Sequence, residues 1–180
     1  MRNVYDGNTL VLTNEHRVSL LGIDTPEIKE QQPFAQEAKM YTIDRCRKRD
    51  IWISFKPGGE KEDHYRRPLC FVRVPTDCDG YRYLGFNDGI VEAGYARVYP
   101  PGREKRLHNW DTLVELQSLA LKQNRCLWLD CEDLKVVKTV NESAYHKRSC
   151  GRSAKSRNLT EIMASEVSAK GLHPCQSCFG

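Results

Sequence analysis

The sequence lacks any apolar run long enough to cross a bilayer, and no charged and then apolar leader precedes its first predicted strand. We therefore expect no membrane partner. It also lacks a polybasic tail, because its basic and acidic residues are interspersed. The net charge of +4 and the pI near 8.6 allow an anionic partner without requiring one.

Most of the eight cysteines lack the paired spacing of a disulfide framework. Those without such spacing are Cys46, Cys70, Cys78, Cys126 and Cys131. Their pattern predicts a reducing compartment and so a cytoplasmic protein, while secretion stays open if a leader has been removed. The other cysteines lie in a C-terminal segment that has too few large apolar residues to form its own core.

Five strands and three helices are predicted in the first part of the chain. The first two strands lie within residues 3–12 around an Asp-Gly turn, and the other three cover residues 17–23, 50–55 and 69–74. The helices cover residues 33–46, 84–93 and 104–123. The first three strands form a meander that would bring Asp6 and Asn8 close to Asp24. This pattern indicates an α+β fold with a small closed barrel.

Two carboxylates lie where the third strand ends, in the segment Asp24-Thr25-Pro26-Glu27. Asp24 and the carbonyl group of Thr25 can bind a hard cation, and Glu27 can act as a general base. The alternative is an ordinary capped turn at the start of a helix, in which Glu27 favours the helix dipole.

Arg67 follows a loop rich in hydrogen-bond donors, at the start of the fifth predicted strand. A guanidinium group at this position can hold a phosphate through two parallel hydrogen bonds. The alternative is a solvated arginine in an exposed loop.

Five motifs occur in one order along the chain, and together they are specific. They are Asp6–Thr9, Leu20–Glu27, Pro33–Ala38, Asp63–Leu69 and Glu92–Val98. With these motifs, residues 3–129 resemble the staphylococcal nuclease (thermonuclease) family. The resemblance implies a five-stranded OB-fold barrel with three helices, and Ca²⁺-dependent cleavage of phosphodiester bonds in DNA and RNA.

The resemblance also implies a role for individual residues. It assigns Asp24, Thr25 and Asn8 to the Ca²⁺ site, Glu27 and Arg67 to catalysis, and Tyr65 and Tyr99 to nucleotide binding. In this scheme Glu27 activates the attacking water and Arg67 holds the phosphate.

Two positions depart from the family pattern. Asn8 stands where the family has a second calcium-binding aspartate, and this loss of charge should weaken Ca²⁺ binding. Ser19 stands where the family has its first phosphate-binding arginine. Arg17 lies on the same face of the strand and could replace that arginine in part. A catalytically impaired protein that binds nucleic acid without cleaving it is therefore the alternative function.

The C-terminal segment carries a second signal. His146 and Cys150 are followed by the Cys-x-x-Cys pair Cys175 and Cys178. Their spacing fits one tetrahedral Zn²⁺ with four protein ligands, which is typical of a structural site. Free thiols and a Cys175–Cys178 disulfide are the alternatives.

Residues 144–179 resemble zinc modules related to the N-terminal metal domain of the Ada DNA-repair protein. We therefore predict a nuclease-like domain over residues 1–130, a linker over residues 131–142 and a zinc-stabilised module over residues 143–180. Residues 158–167 are predicted to form a helix of the module. Basic residues around its ligands suggest that it assists nucleic-acid binding: Lys147, Arg148, Arg152, Lys155 and Arg157.

Overall fold

The structure is a computed structural model that describes residues 1–56, 58, 62–76, 83–99, 107–129, 135–139, 144–151, 153, 156, 158–163, 167 and 172–179. Its larger part is an α+β domain in which a mixed sheet packs against three helices. The strands of this part are β1 (Asn3–Asp6), β2 (Thr9–Val11), β3 (Arg17–Leu20), β4 (Ile23–Asp24), β5 (Trp52–Ser54), β6 (Leu69–Pro75), β7 (Tyr83–Gly85) and β8 (Arg97–Val98). The helices are α1 (Ala35–Cys46), α2 (Phe86–Glu92) and α3 (Trp110–Lys122).

The meander predicted from the first residues is confirmed. Strands β1, β2 and β3 are antiparallel neighbours, with Leu10 opposite both Val4 and Val18. All three side chains are buried, so the apolar positions of these strands face one core. Strand β6 then runs parallel to β3, and both β5 and β7 pair with β6.

The third predicted strand is interrupted at Gly22. The φ angle of Gly22 is +83°, a left-handed conformation that favours glycine, and a Cβ atom there would lie 2.5 Å from Leu107 Cδ1. The chain turns at this glycine, and β4 pairs antiparallel with β8 instead of continuing β3. This turn takes Asp24 away from the main sheet and places it opposite Arg97.

The three predicted helices are confirmed, but their ends differ. Helix α1 begins at Ala35 instead of Pro33, and α2 begins at Phe86 because Leu84 belongs to β7. Helix α3 begins at Trp110, and the predicted start at residues 104–106 lies outside the described residues. None of the helices in the described ranges is long and apolar enough to cross a membrane.

The number of strands differs from the prediction of a five-stranded barrel. The main sheet has six strands, and β4 and β8 form a separate pair. In the described part of the chain, hydrogen bonds do not close these strands into a barrel. The five-stranded closed barrel is therefore not confirmed, because the turn at Gly22 divides one predicted strand and Tyr83–Gly85 adds another.

The main core lies between the sheet and the helices. It contains residues from both, with Leu10, Leu20 and Val72 from the sheet and Phe86 and Leu113 from the helices, each at most 2% exposed. This core stabilises the strand ends that carry the candidate site.

The C-terminal part is smaller and has its own short elements. These are β9 (Lys135–Thr139), β10 (Ala144–Tyr145), β11 (Leu159–Met163), β12 (His173–Pro174) and α4 (Gln176–Phe179). Strand β9 pairs antiparallel with β11, and β10 pairs parallel with β12. Its buried apolar cluster comprises Val136, Tyr145, Ile162, Val167 and Leu172 in the described residues.

Two expectations for this part need correction. The predicted helix over residues 158–167 is wrong, because Leu159–Met163 pairs as a strand with the β-branched residues of β9. Five residues of the predicted linker, Lys135–Thr139, belong to that same pair, while residues 131–134 and 140–142 lie outside the described residues. The domain boundaries themselves stay a prediction.

Candidate functional site

Asp24 lies at the point where β4 meets the turn between β1 and β2. The side-chain Nδ2 of Asn8 donates to Asp24 Oδ1 at 3.3 Å, and the backbone N–H of Asn8 donates to Asp6 Oδ1 at 3.2 Å. In the antiparallel pair of β4 and β8, Arg97 stands directly opposite Asp24. The structure thus brings the two predicted side-chain ligands, Asn8 and Asp24, into contact.

The surroundings of Asp24 disfavour its charged form. The residue keeps an exposed surface, but the protein atoms around its carboxyl group restrict hydration and raise the pKa of Asp24 to about 6. The positive charge of Arg97 opposes this rise, while the negative charges of Glu27 and Asp6 add to it. Carboxylates that raise one another's pKa are stabilised when a divalent cation binds between them.

Thr25 is buried and packs against Gly7. It is 5% exposed, and a Cβ atom at Gly7 would lie 2.8 Å from Thr25 Oγ1. Thr42 Oγ1 on α1 donates to the Gly7 carbonyl at 2.7 Å. Gly7 therefore allows the turn between β1 and β2 to pack closely on the end of β4, which fixes the backbone on both sides of the site.

Arg67 is joined to this turn by hydrogen bonds. Its Nη1 donates to Thr9 Oγ1 at 2.9 Å, and the Thr9 hydroxyl donates to Asn8 Oδ1 at 3.3 Å. Because Asn8 also contacts Asp24, a continuous set of bonds links the guanidinium group to the carboxylate. The predicted catalytic arginine and the predicted metal ligands are therefore neighbours.

Asp63 fixes the orientation of Arg67. Its Oδ2 accepts from Arg67 Nε at 2.6 Å, and its Oδ1 accepts from the Arg67 and Tyr65 amides, each at 2.9 Å. Burial raises the pKa of Asp63, but the hydrogen bonds from Arg67 outweigh this and leave the pKa below its usual value. Arg67 uses two of the five N–H donors of its guanidinium group in these contacts with Asp63 and Thr9.

Glu27 follows Asp24 closely in the chain and is exposed. Its negative charge acts on the carboxyl group of Asp24 and raises its pKa, so the two side chains share one electrostatic environment. The predicted base therefore stands beside the predicted metal ligands and remains accessible to solvent.

The predicted substrate-binding residues are all exposed, and one of them, Tyr65, contacts Arg67. Tyr65 is 65% exposed, and its ring centroid lies 4.9 Å from Arg67 Cζ. Tyr99 is 39% exposed, and its amide donates to the Gly22 carbonyl at 2.9 Å. Arg17 is exposed and stacks on Tyr5 at 4.4 Å, so it contacts a ring on β1.

Ser19 is 5% exposed and stands opposite Thr9 in the sheet. This is the strand position next to the hydroxyl that Arg67 contacts. Arg17 is two residue pairs further along, opposite Val11. The structure shows no contact between Arg17 and Arg67 or Asp24 in the described residues, so the prediction that Arg17 replaces the missing arginine remains untested.

Sequence reasoning did not assign roles to Asp6 and Arg97. Asp6 forms part of an Asp-Gly turn, which was a usable signal because the turn also carries Asn8. Arg97 had no such signal, since its position opposite Asp24 depends on the pairing of β4 with β8. It lies half-buried, with its Cζ 6.0 Å from the centroid of the Trp128 ring.

A second cluster brings together the four residues His146, Cys150, Cys175 and Cys178. Their candidate ligand atoms all lie within 4.8 Å of one another. Backbone bonds shape the cluster: the Cys175 amide donates to the Tyr145 carbonyl at 2.9 Å, and the Cys178 amide donates to the Cys175 carbonyl at 3.2 Å.

The donor set of this cluster fits zinc. A tetrahedral ion with Zn–S bonds near 2.3 Å separates its sulfur ligands by about 3.8 Å. Three thiols and one imidazole whose ligand atoms lie within 4.8 Å of one another are compatible with such an ion, and the first, second and third of the four residues are buried. The described cysteines form no disulfide, so the alternative of a Cys175–Cys178 bridge is not supported.

The domain that carries the carboxylate site also matches a known family. A family model described as staphylococcal nuclease homologue matches residues 17–130, which is more than half of the chain. The chain belongs to the staphylococcal nuclease family. Its match includes β3, β4, β6 and β8 and all three helices of the larger domain.

Two relatives show how far the similarity extends. The thermonuclease of Staphylococcus intermedius is 26% identical over 137 residues, which cover 71% of this chain and 74% of the relative. An uncharacterized protein of Methanocaldococcus jannaschii is 28% identical over 149 residues, which cover 69% of this chain and 68% of the relative. At these identities, both proteins are distant relatives of this chain.

Proposed function

We propose that the protein is a Ca²⁺-dependent nuclease that hydrolyses phosphodiester bonds of DNA or RNA. The family and the thermonuclease relative support a nuclease-type function. The observation that carries the proposal is the continuous set of hydrogen bonds from Arg67 through Thr9 and Asn8 to Asp24, with Glu27 close by.

Each residue of the proposed site has a definite task. Asp24, Asn8 and the carbonyl group of Thr25 would hold Ca²⁺, which would offset charge on the phosphate. Glu27 accepts a proton from the attacking water, whose oxygen forms the new bond to phosphorus. The bond from phosphorus to the leaving ester oxygen breaks, and that oxygen takes a proton from solvent. Arg67 donates its remaining N–H groups to the phosphate oxygens as their charge grows.

The rings at the edge of the site fit a nucleotide. Tyr65 and Tyr99 are exposed near Arg67 and Gly22, and aromatic rings stack readily on unpaired bases. Arg17 adds a positive charge on the neighbouring strand, where it can contact the sugar-phosphate backbone. We therefore propose DNA and RNA as partners.

A second candidate function is a protein that binds nucleic acid without cleaving it. Two observations favour it. Asn8 supplies an amide where a carboxylate would bind Ca²⁺ more strongly, and it already donates to Asp24. Ser19 places a short, buried side chain beside the position of Arg67. Loss of a transition-state donor costs about a hundredfold or more in rate.

We propose that the His/Cys cluster binds a structural Zn²⁺ that organises the C-terminal module. Support comes from four ligand atoms within 4.8 Å and from the small size of the adjacent apolar cluster. The exposed Lys147 and the ion pair of Arg148 with Glu161 present charge beside the cluster. This module would add weak electrostatic binding of nucleic acid. The other basic residues of the prediction, Arg152, Lys155 and Arg157, lie outside the described residues.

The proposal is tested by digestion of denatured DNA over a Ca²⁺ titration, with a chelator control and the variant Glu27→Gln. We expect Ca²⁺-dependent cleavage that falls about a hundredfold or more in the variant, because the amide cannot accept the proton. Glu115→Gln is a matched control, since Glu115 is an exposed glutamate on α3. Salt-sensitive binding without cleavage at millimolar Ca²⁺ would instead establish the second candidate function.

A further inference from the structure

One glutamine, Gln32, forms hydrogen bonds to the backbone of Glu27 within the same loop. This loop is the segment that covers residues 25–34 and connects β4 to α1. The Glu27 amide donates to Gln32 Oε1 at 2.9 Å, and the Gln32 amide donates to the Glu27 carbonyl at 3.2 Å. Both backbone polar groups of Glu27 are therefore bound to the same residue.

The backbone of this segment adopts φ angles that residues other than glycine usually avoid. Gln31 has a φ angle of 52° and Phe34 one of 65°, both in the left-handed region. Such conformations persist only where the surrounding structure holds them, and they often occur at functional sites. The bonds from Gln31 N to the Ile28 carbonyl and from Ala38 N to the Phe34 carbonyl hold these two residues.

The ends of the segment are anchored, but its middle is not. Thr25 and Pro26 are buried at one end and Ala35 is buried just beyond the other, while Glu27, Lys29 and Glu30 are exposed. Glu27 thus stands where the anchored backbone meets the exposed part. In the described structure, the side chain that bridges these two parts is that of Gln32.

We propose that Gln32 is a positioning residue that holds the backbone of Glu27 in place for catalysis. This inference rests on the proposed role of Glu27 as the base. Within the described residues, the Gln32 side chain makes no hydrogen bond to Asp24, Asn8 or Arg67. It acts by fixing the peptide group from which the Glu27 side chain extends, so that the carboxylate starts from one position.

Three variants test this proposal. Gln32→Ala removes the acceptor of the Glu27 amide. Gln32→Glu keeps an oxygen acceptor at the same distance along the side chain. Gln31→Ala is the matched control, because Gln31 is the adjacent, exposed glutamine whose side chain makes no hydrogen bond within the described residues.

Two measurements are made on each variant. The first is kcat and KM for cleavage of denatured DNA in Ca²⁺. The second is the hydrogen-exchange rate of the Glu27 amide in the full-length protein without DNA, with Tm as a check on overall stability. We expect Gln32→Ala to lower kcat about tenfold to a hundredfold with little change in KM, and to accelerate exchange at Glu27. Gln32→Glu should restore both, and Gln31→Ala should change neither.

The proposal is overturned if exchange at Glu27 stays slow in Gln32→Ala, or if kcat falls equally in Gln31→Ala. The proposed nuclease function fails separately, if the wild-type protein does not cleave DNA. In that event the exchange rates still decide whether Gln32 holds the backbone of Glu27.

Discussion

The two candidate sites of this protein are built in different ways. The carboxylate site takes its residues from strand ends and turns that rest on a large core, with Leu10, Phe86 and Leu113 fully buried beneath it. The His/Cys site takes its four residues from short elements that surround a small apolar cluster. The first site depends on the fold that positions it, whereas we expect the second to stabilise the fold around it.

The comparison shows why the same type of ion would have different effects at the two sites. A cation bound by Asp24 and Asn8 would relieve repulsion between the carboxylates of Asp24, Glu27 and Asp6, which the fold places close together. A cation bound by the His/Cys cluster would add stability to a part whose described apolar cluster is small, so we expect binding and folding to be coupled there. Removal of metal should therefore act on function at one site and on structure at the other.

The largest effect should follow zinc removal. A strong zinc chelator should abolish amide protection in β9 and β11 and leave α1 and α3 protected, because structural zinc contributes on the order of 10 kcal/mol to such modules. Hydrogen exchange measured by mass spectrometry distinguishes the two parts. Protection that survives in β9 after the metal has gone would show that the apolar cluster suffices.

Two cysteine variants test which residues bind the zinc. Cys175→Ser should lower the zinc content of the purified protein below one equivalent, because Cys175 belongs to the cluster. Cys126→Ser should leave it unchanged, because Cys126 lies outside the cluster. Equal zinc contents in the two variants would count against the site.

The next effect concerns the core of the larger domain. Phe86→Ala should lower the free energy of unfolding by about 3–5 kcal/mol, because Phe86 is 1% exposed and its removal leaves a cavity. Urea unfolding followed by the fluorescence of the tryptophans measures this. The control is Phe55→Ala, since Phe55 is 57% exposed and should cost well under half of that amount. Similar losses in both variants would contradict the assigned core.

A smaller effect should follow a change of charge at Asn8. Asn8→Asp should tighten Ca²⁺ binding about tenfold, because it restores a carboxylate ligand beside Asp24. Isothermal titration calorimetry measures the affinity. Asn14→Asp is the control, because the Asn14 side chain accepts from the His16 amide in an exposed turn and an aspartate keeps that bond. An equal gain in both variants would indicate a general charge effect instead.

The smallest effect should be a pH-dependent change in Tm. The folded protein raises the pKa of Asp24 to about 6, so ionisation of this group destabilises the fold as the pH rises from 4 to 6. In a chelator, Asp24→Asn should therefore raise Tm by a few degrees above pH 6, and the difference should vanish below pH 4. Asp44→Asn, at an exposed position of α1, should show no such trend. A constant difference at every pH would exclude this origin.

Local patterns predicted much of the fold and of both sites. The Asp-Gly turn and its flanking strands, the three helices and the approximate position of β6 follow from apolar periodicity and turn residues. The four members of the His/Cys cluster follow from their spacing, and the structure places their ligand atoms together. These features depend on neighbours in the chain, which a sequence displays directly.

The features that local patterns missed depend on distant residues. Residues 159–163 were expected in a helix but form β11, because they pair with β9 and the pairing outweighs their modest helix preference. The third strand was expected to run to Ile23, but the chain turns at Gly22, where Leu107 packs closely against the glycine. Leu107 is distant in sequence, so the residues around Gly22 do not show this contact. Gln32 has no recognisable signal, since its role depends on the path of the backbone at Glu27.

By itself, the sequence determined which chemical groups this protein can use: carboxylates after a strand, an arginine after a loop, and a set of thiols with an imidazole. Only the tertiary structure decided which of these groups act on one another. It placed Arg97 opposite Asp24, joined Arg67 to Asn8 through Thr9, and bound Gln32 to Glu27. The physical reason is that hydrogen bonding, charge interaction and hydration depend on separation in space, which the packing of strands and helices sets.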